Sequence, residues 1–157
     1  MNNLSQGSLA PDLNIPNQNG EIIKLSDFAG KWLIIYFYPK DNTPGCTIEA
    51  KDFTCLQDDF AKLNVQIIGI SKDSPASHLR FIEKQALNLT LLSDPDLKIM
   101  QAYGVWKEKK LYGKTFLGVV RSTFLINPEG NIQNAWYNIK AKNHAQRTLE
   151  HCQKLIK

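Results

Sequence analysis

A seven-residue run, Trp32-Leu-Ile-Ile-Tyr-Phe-Tyr38, ends abruptly at Pro39 and constrains the fold more than any other part of the chain. Its aromatic and β-branched residues are continuous rather than alternating, the pattern of a strand buried on both faces. Such a strand needs helices on each side of its sheet, and the next residues supply one. Thr43 stands as an N-cap before Pro44, whose missing N–H costs nothing in a first helical turn. Phe53, Leu56, Phe60 and Leu63 recur at helical spacing and predict one helix from residue 44 to about 63.

The alternation continues. Residues 65–70, Val-Gln-Ile-Ile-Gly-Ile, read as a second buried strand. Ser74-Pro75 opens a helix to about Gln85 by the same cap-then-proline logic. Residues 89–92 form a short strand, and Asp94-Pro95 starts a short helix reaching about Tyr103. Lys107-Glu-Lys-Lys110 reads as a solvated loop. Residues 119–126 and 132–137 flank Asn127-Pro-Glu-Gly130, a turn that pairs them antiparallel, and Asn143 is expected to cap a closing helix. Upstream, residues 12–15 and 21–24 flank Asn17-Gln-Asn-Gly20 as a small hairpin. Strands alternating with helices predict an α/β fold, a central mixed sheet flanked by helices. With 157 residues, no internal repeat and no Gly/Ser/Pro-rich linker, one domain over residues 1–157 is expected.

Composition excludes several classes. Hydrophobic residues at 43% and charged residues at 22% are ordinary globular usage, not that of a disordered or fibrous chain. The longest strongly apolar run is far short of the roughly 20 residues a membrane-spanning helix needs. A net charge of +4 without a Lys/Arg block gives no nucleic-acid tract. Met1 to Gly7 lack the charged start and apolar stretch of a signal peptide, so the cytoplasm is the expected location.

Cys46, Cys55 and Cys152 show neither CxxC spacing nor a zinc pattern. His78, His144 and His151 lack metal-ligand spacing, so no metal is assigned. Cys46 falls in the first turn of a helix straight after a buried strand. The partial positive charge of a helix N-terminus stabilises a thiolate, the nucleophilic form of the side chain. The carboxyl end of a strand is also where open α/β sheets hold their sites. Position alone leaves two readings open, a reactive thiol and a small buried hydrophobe.

The stretch Pro39-x-x-x-Thr43-x-x-Cys46 resembles the active-site pattern of the peroxiredoxins. The wider Phe37-Tyr-Pro-Lys-Asp-Asn-Thr-Pro-Gly-Cys46 resembles their bacterioferritin comigratory protein, or Q, subgroup. Ala10-Pro11, Leu25-Ser-Asp-Phe28, Gly69-Ile-Ser71, Leu91-Leu-Ser-Asp94, Gly104-Val-Trp106 and Arg121-Ser-Thr-Phe-Leu-Ile126 extend the similarity over nearly the whole chain. The resemblance implies a thioredoxin fold with an N-terminal β-hairpin extension. It also implies a thiol peroxidase without a cofactor that reduces hydrogen peroxide and organic hydroperoxides. Cys46 would be the peroxidatic cysteine, oxidised to a sulfenic acid. Thr43 would hydrogen-bond the thiolate and the peroxide. Arg121, near the start of its strand, would stabilise both negative charges. Pro39 would shield the thiolate from water. By position alone, one turn beyond Cys46, Glu49 has two readings, a group that orients the arginine and an ordinary first-turn acid favourable to the helix dipole.

The chain departs from that pattern at the resolving step. Lys51 stands five residues after Cys46, where many members of the subgroup carry a second cysteine, and no cysteine lies between Ser74 and Gln85. Cys55 is nine residues on, roughly 13 Å along a helix and half a turn out of phase, so an internal Cys46–Cys55 disulfide requires extensive unwinding. Cys55 and Cys152 are therefore read first as packing thiols. The expected cycle ends with an external thiol, thioredoxin, glutaredoxin or glutathione, acting on a monomer. Two other classes remain: a Cys-His hydrolase, which needs a histidine held by Asn or Asp beside Cys46, and a thioredoxin-fold sensor or binding module that does not turn over.

Overall fold

The computed structural model describes residues 3–156. β3 (Trp32–Phe37) lies at the centre of a five-stranded sheet with β4 (Val65–Ser71), β5 (Thr90–Ser93), β8 (Ser122–Ile126) and β9 (Ile132–Trp136), in the order β5-β4-β3-β8-β9. β3, β4 and β5 run parallel, while β8 is antiparallel to β3 and β9 to β8. The sheet is mixed, as expected. β1 (Asn14–Pro16) and β2 (Ile22–Lys24) form the N-terminal hairpin, fastened beside β5 through an Asn17–Leu92 bridge.

Both faces of β3 are covered, which is why its sequence does not alternate. Ile34, Tyr36 and Tyr38 pack with Phe53, Phe60, Phe81, Leu149 and Cys152 on one face. These partners come from α1 (Pro44–Cys55), α2 (Gln57–Lys62), α3 (Pro75–Gln85) and α5 (His144–Leu155). Leu33, Ile35 and Phe37 pack with Leu13, Met100, Tyr103 and Phe124 on the other face, where α4 (Lys98–Ala102) lies.

Five local readings are corrected. The helix expected from 44 to 63 is broken at Leu56 (φ −97°, ψ 4°) into α1 and α2. Periodicity does not register the break because Phe53 and Phe60, seven residues apart, still reach the same core. Residues 107–110 are not a loop: β6 (Trp106–Leu111) and β7 (Lys114–Val119) form a hairpin turned at Tyr112 and Gly113, both with positive φ. Most of this ribbon is open to solvent, so it lacks the period-2 pattern of a half-buried strand. Residues 119–126 are not one strand either, since the chain leaves the ribbon at Val119 and enters the central sheet at Ser122. The α4 helix starts four residues later than Asp94, after Leu97 adopts a left-handed conformation. Asn143 is also left-handed (φ 61°), and its side chain does not cap α5. Ser74 does cap α3, accepting from the Ser77 N–H at 3.1 Å.

Candidate active site

Cys46 is the third residue of α1 and is buried (2% exposed). The antiparallel register of β3 and β8 sets Ser122 opposite Phe37, so the residue just before β8 meets the loop that follows β3. That residue is Arg121. It sits not within a strand, as the sequence reading has it, but in the step between β7 and β8. There its carbonyl accepts from the Ile139 N–H at 3.0 Å and the Ser122 hydroxyl bonds the Val120 carbonyl at 2.8 Å.

The guanidinium forks. Nη2 donates to the Cys46 Sγ at 3.3 Å and Nη1 to the Glu49 Oε1 at 2.6 Å. Glu49, one helical turn beyond Cys46, is fully buried. A Cβ on Gly45 would stand 3.2 Å from the Arg121 Nη2, so glycine there leaves room for the guanidinium. Burial opposes the arginine charge, but Glu49 and then Cys46 outweigh it and hold Arg121 firmly cationic. Burial also lifts the Glu49 carboxyl to about 7, against the pull of Arg121.

Thr43 occupies the N-cap position, but its side chain does not cap α1. Its hydroxyl donates to the Lys40 carbonyl at 2.8 Å. With its one proton committed there, the oxygen is left to accept, which suits the O–H of a hydroperoxide rather than a thiolate. Pro39, half-buried, ends β3 at the start of the same loop.

The other sequence candidates are not brought to Cys46. Cys55 is exposed at the far end of α1, a correction to its reading as a packing thiol. Cys152 is buried in the core, and burial pushes its thiol up to about 12, so it stays protonated. His78 is held by a carboxylate, as a Cys-His enzyme would need, but Nδ1 faces Asp41 at 2.8 Å and Nε2 the Leu92 carbonyl at 2.9 Å. Neither nitrogen is free for Cys46. Among the described residues no cluster of His, Cys, Asp and Glu could hold a metal ion, and no helix is long and apolar enough to cross a membrane. A cavity of about 370 Å³ lined by Leu9, Leu33 and Ile126 lies at the other end of the sheet, away from this chemistry.

Sequence reasoning missed Tyr36. Its fully buried hydroxyl has no hydrogen-bond partner. Burial first, then the charges of Glu49 and Cys46, raise it well above the usual phenol range. Its ring lies over Gly69, where a Cβ would come within 2.7 Å of Cζ. A tyrosine inside an otherwise hydrocarbon strand is the signal that was available.

Residues 6–135 match the AhpC/TSA family model. Peroxiredoxin Bcp of Bacillus subtilis is 47% identical over 144 residues, 92% of each chain. Peroxiredoxin Bcp of Escherichia coli is 44% identical over the same shares. Among solved structures, the Xanthomonas campestris bacterioferritin comigratory protein superposes with a TM-score of 0.88 at 43% identity, over 92% of each chain. A cysteine-to-serine mutant of Xylella fastidiosa PrxQ superposes with a TM-score of 0.90 at 35% identity, over 99% of each. The thioredoxin-fold expectation holds in these neighbours, and the chain belongs to the AhpC/TSA family, among the peroxiredoxins of the Bcp or Q type.

Proposed function

We propose that the protein is a thiol peroxidase in which Cys46 is the peroxidatic residue. The observation that carries this reading is the buried Arg121 fork, one arm on the Cys46 sulfur and the other on Glu49. The Cys46 thiolate attacks the nearer oxygen of ROOH, the O–O bond breaks, RO⁻ leaves and takes a proton to become ROH, and the sulfur remains as a sulfenic acid. Arg121 stabilises the thiolate and then the charge on the parting oxygens, a role best filled by fixed donors. Thr43 accepts the peroxide O–H, and Pro39 limits water at the sulfur. Hydrogen peroxide and organic hydroperoxides are the substrates. The Xanthomonas campestris relative is described as reducing alkyl peroxides, which supports the second class.

An external thiol, thioredoxin, glutaredoxin or glutathione, closes the cycle. Lys51 occupies the nearby resolving position, and α1 is continuous from Cys46 to Cys55. A monomer is taken as the working unit, since the Arg121 fork joins Cys46 and Glu49 within the chain. Three free thiols suit the cytoplasm. Intact-mass spectrometry of wild type and Cys46→Ser after one equivalent of peroxide, with dimedone present, tests the reading. A dimedone adduct on Cys46 alone is the expected result. A loss of two hydrogens mapped to Cys46–Cys55 would replace the external thiol by an internal resolver. No change in wild type would sink the peroxidase reading.

A further inference from the structure

We propose that Asp41 and His78 are positioning residues for peroxide reduction, bracing the loop between β3 and α1 that presents Pro39 and Thr43 to the Cys46 sulfur. The inference rests on the peroxidase reading above.

Asp41 lies two residues from both Pro39 and Thr43 and is buried at 8% exposure. Its Oδ1 accepts from the Tyr38 hydroxyl at the end of the central strand. Its Oδ2 accepts from the Ser77 hydroxyl at 2.8 Å and lies 2.8 Å from the His78 Nδ1. The His78 ring is fully buried, and its Nε2 is 2.9 Å from the Leu92 carbonyl on β5. A carbonyl only accepts, so the contact with Leu92 is made by an Nε2 that carries a hydrogen. The Asp41 N–H donates to the Asp73 Oδ2 at 2.8 Å, and that same oxygen accepts from the Ser71 hydroxyl at 2.7 Å. Asn42 adds an outer tie, accepting from the Gln85 Nε2 at 3.1 Å.

The loop is thus fixed to β3, to the segment after β4, to α3 and, through His78, to β5. None of these hydrogen bonds reaches Cys46, Arg121 or Glu49. A buried polar pair of this kind is a poor route to stability, because apolar residues of similar volume stabilise a core as well or better. What the pair supplies is direction. Asp41 is held by Tyr38, Ser77, His78 and Asp73, and the Thr43–Lys40 hydrogen bond lies in the same loop. Peroxide must meet the sulfur in line, and a misplacement of about 1 Å can cost ~100-fold in rate.

The test compares two electrophiles on reduced protein by stopped flow. Hydrogen peroxide needs the Thr43 and Arg121 contacts, whereas iodoacetamide needs only an accessible thiolate. In Asp41→Asn and His78→Asn, checked for native near-UV circular dichroism, the second-order rate with peroxide should fall ~10-fold or more. The iodoacetamide rate should hold or rise. Ser77→Ala removes one hydrogen bond to Asp41 from a half-buried position; it serves if the first two variants do not fold, and should show a smaller fall confined to peroxide. Variants that lose nothing with peroxide, or that lose equally with both reagents, overturn the inference while leaving the peroxidase reading intact. A wild type inert to peroxide would overturn that reading and the inference with it.

Discussion

Glu49 and His144 pull the pH dependence of stability in opposite directions. Burial raises the Glu49 carboxyl from its ordinary 4.5 to about 7, so between those values the folded protein holds a proton that the unfolded chain has lost. Stability from this group is complete below about pH 4.5 and is lost as pH rises through 7, on the order of 3 kcal/mol in total. Burial, then the charges of Arg147 and Arg121, lower His144 from 6.5 to about 4. Here the unfolded chain binds the extra proton, so stability is lost as pH falls from 6.5 toward 4. In Glu49→Gln the first slope disappears, and urea unfolding should show stability climbing from pH 4.5 to 6.5 more steeply than in wild type. An unchanged slope would mean that Glu49 is ionised throughout. At Arg121, lysine would keep the charge but lose the fork, so it could not hold the sulfur and the carboxylate at once. Arg121→Lys should slow Cys46 oxidation by peroxide roughly 100-fold or more with the circular dichroism unchanged.

Among the elements, the start of α1 and the middle of β4 tolerate side chains differently. Alanine is a better helix former than glycine, but a Cβ at position 45 meets the Arg121 Nη2 at 3.2 Å. Gly45→Ala should therefore lower the peroxide rate while leaving the melting temperature equal or higher. At Gly69 a Cβ would sit 2.7 Å from the Tyr36 Cζ and 2.9 Å from the Leu91 Cδ2, inside a close-packed core. Gly69→Ala should cost roughly 1–3 kcal/mol in a thermal or urea melt. Cys55, exposed at the end of an unbroken α1, should be dispensable: Cys55→Ser should turn over at the wild-type rate with an external thiol, and a stall would mean that it resolves the sulfenic acid. Most elements are legible from short-range signals, the buried run before Pro39, the Ser74-Pro75 start and the Asn127–Gly130 turn. The β6–β7 ribbon is not, because solvent on most of its surface removes the apolar alternation that marks a strand.

For the whole molecule, one chain supplies Cys46, Glu49 and the Arg121 guanidinium that joins them. Specific activity should then be independent of protein concentration on dilution, and a loss on dilution would point to an obligate assembly. The sequence by itself determined a two-sided mixed sheet, a helix opening at Thr43-Pro44 and the placing of Cys46 in its first turn. These follow from burial patterns and backbone preferences that act over a few residues. Tertiary structure decided the rest. Arg121 reaches Cys46 across 75 positions only because β8 runs antiparallel to β3 in a register that sets Ser122 against Phe37. Asp41 finds His78 across 37 positions only because α3, packed beside β5, sets His78 and Phe81 against Tyr38 just beyond β3. The Thr43 hydroxyl turned from its expected cap to Lys40, since the loop conformation, not residue preference, sets what lies within its reach. Local sequence encodes which elements form; strand order and register choose which distant side chains meet, and no short stretch of chain contains that information.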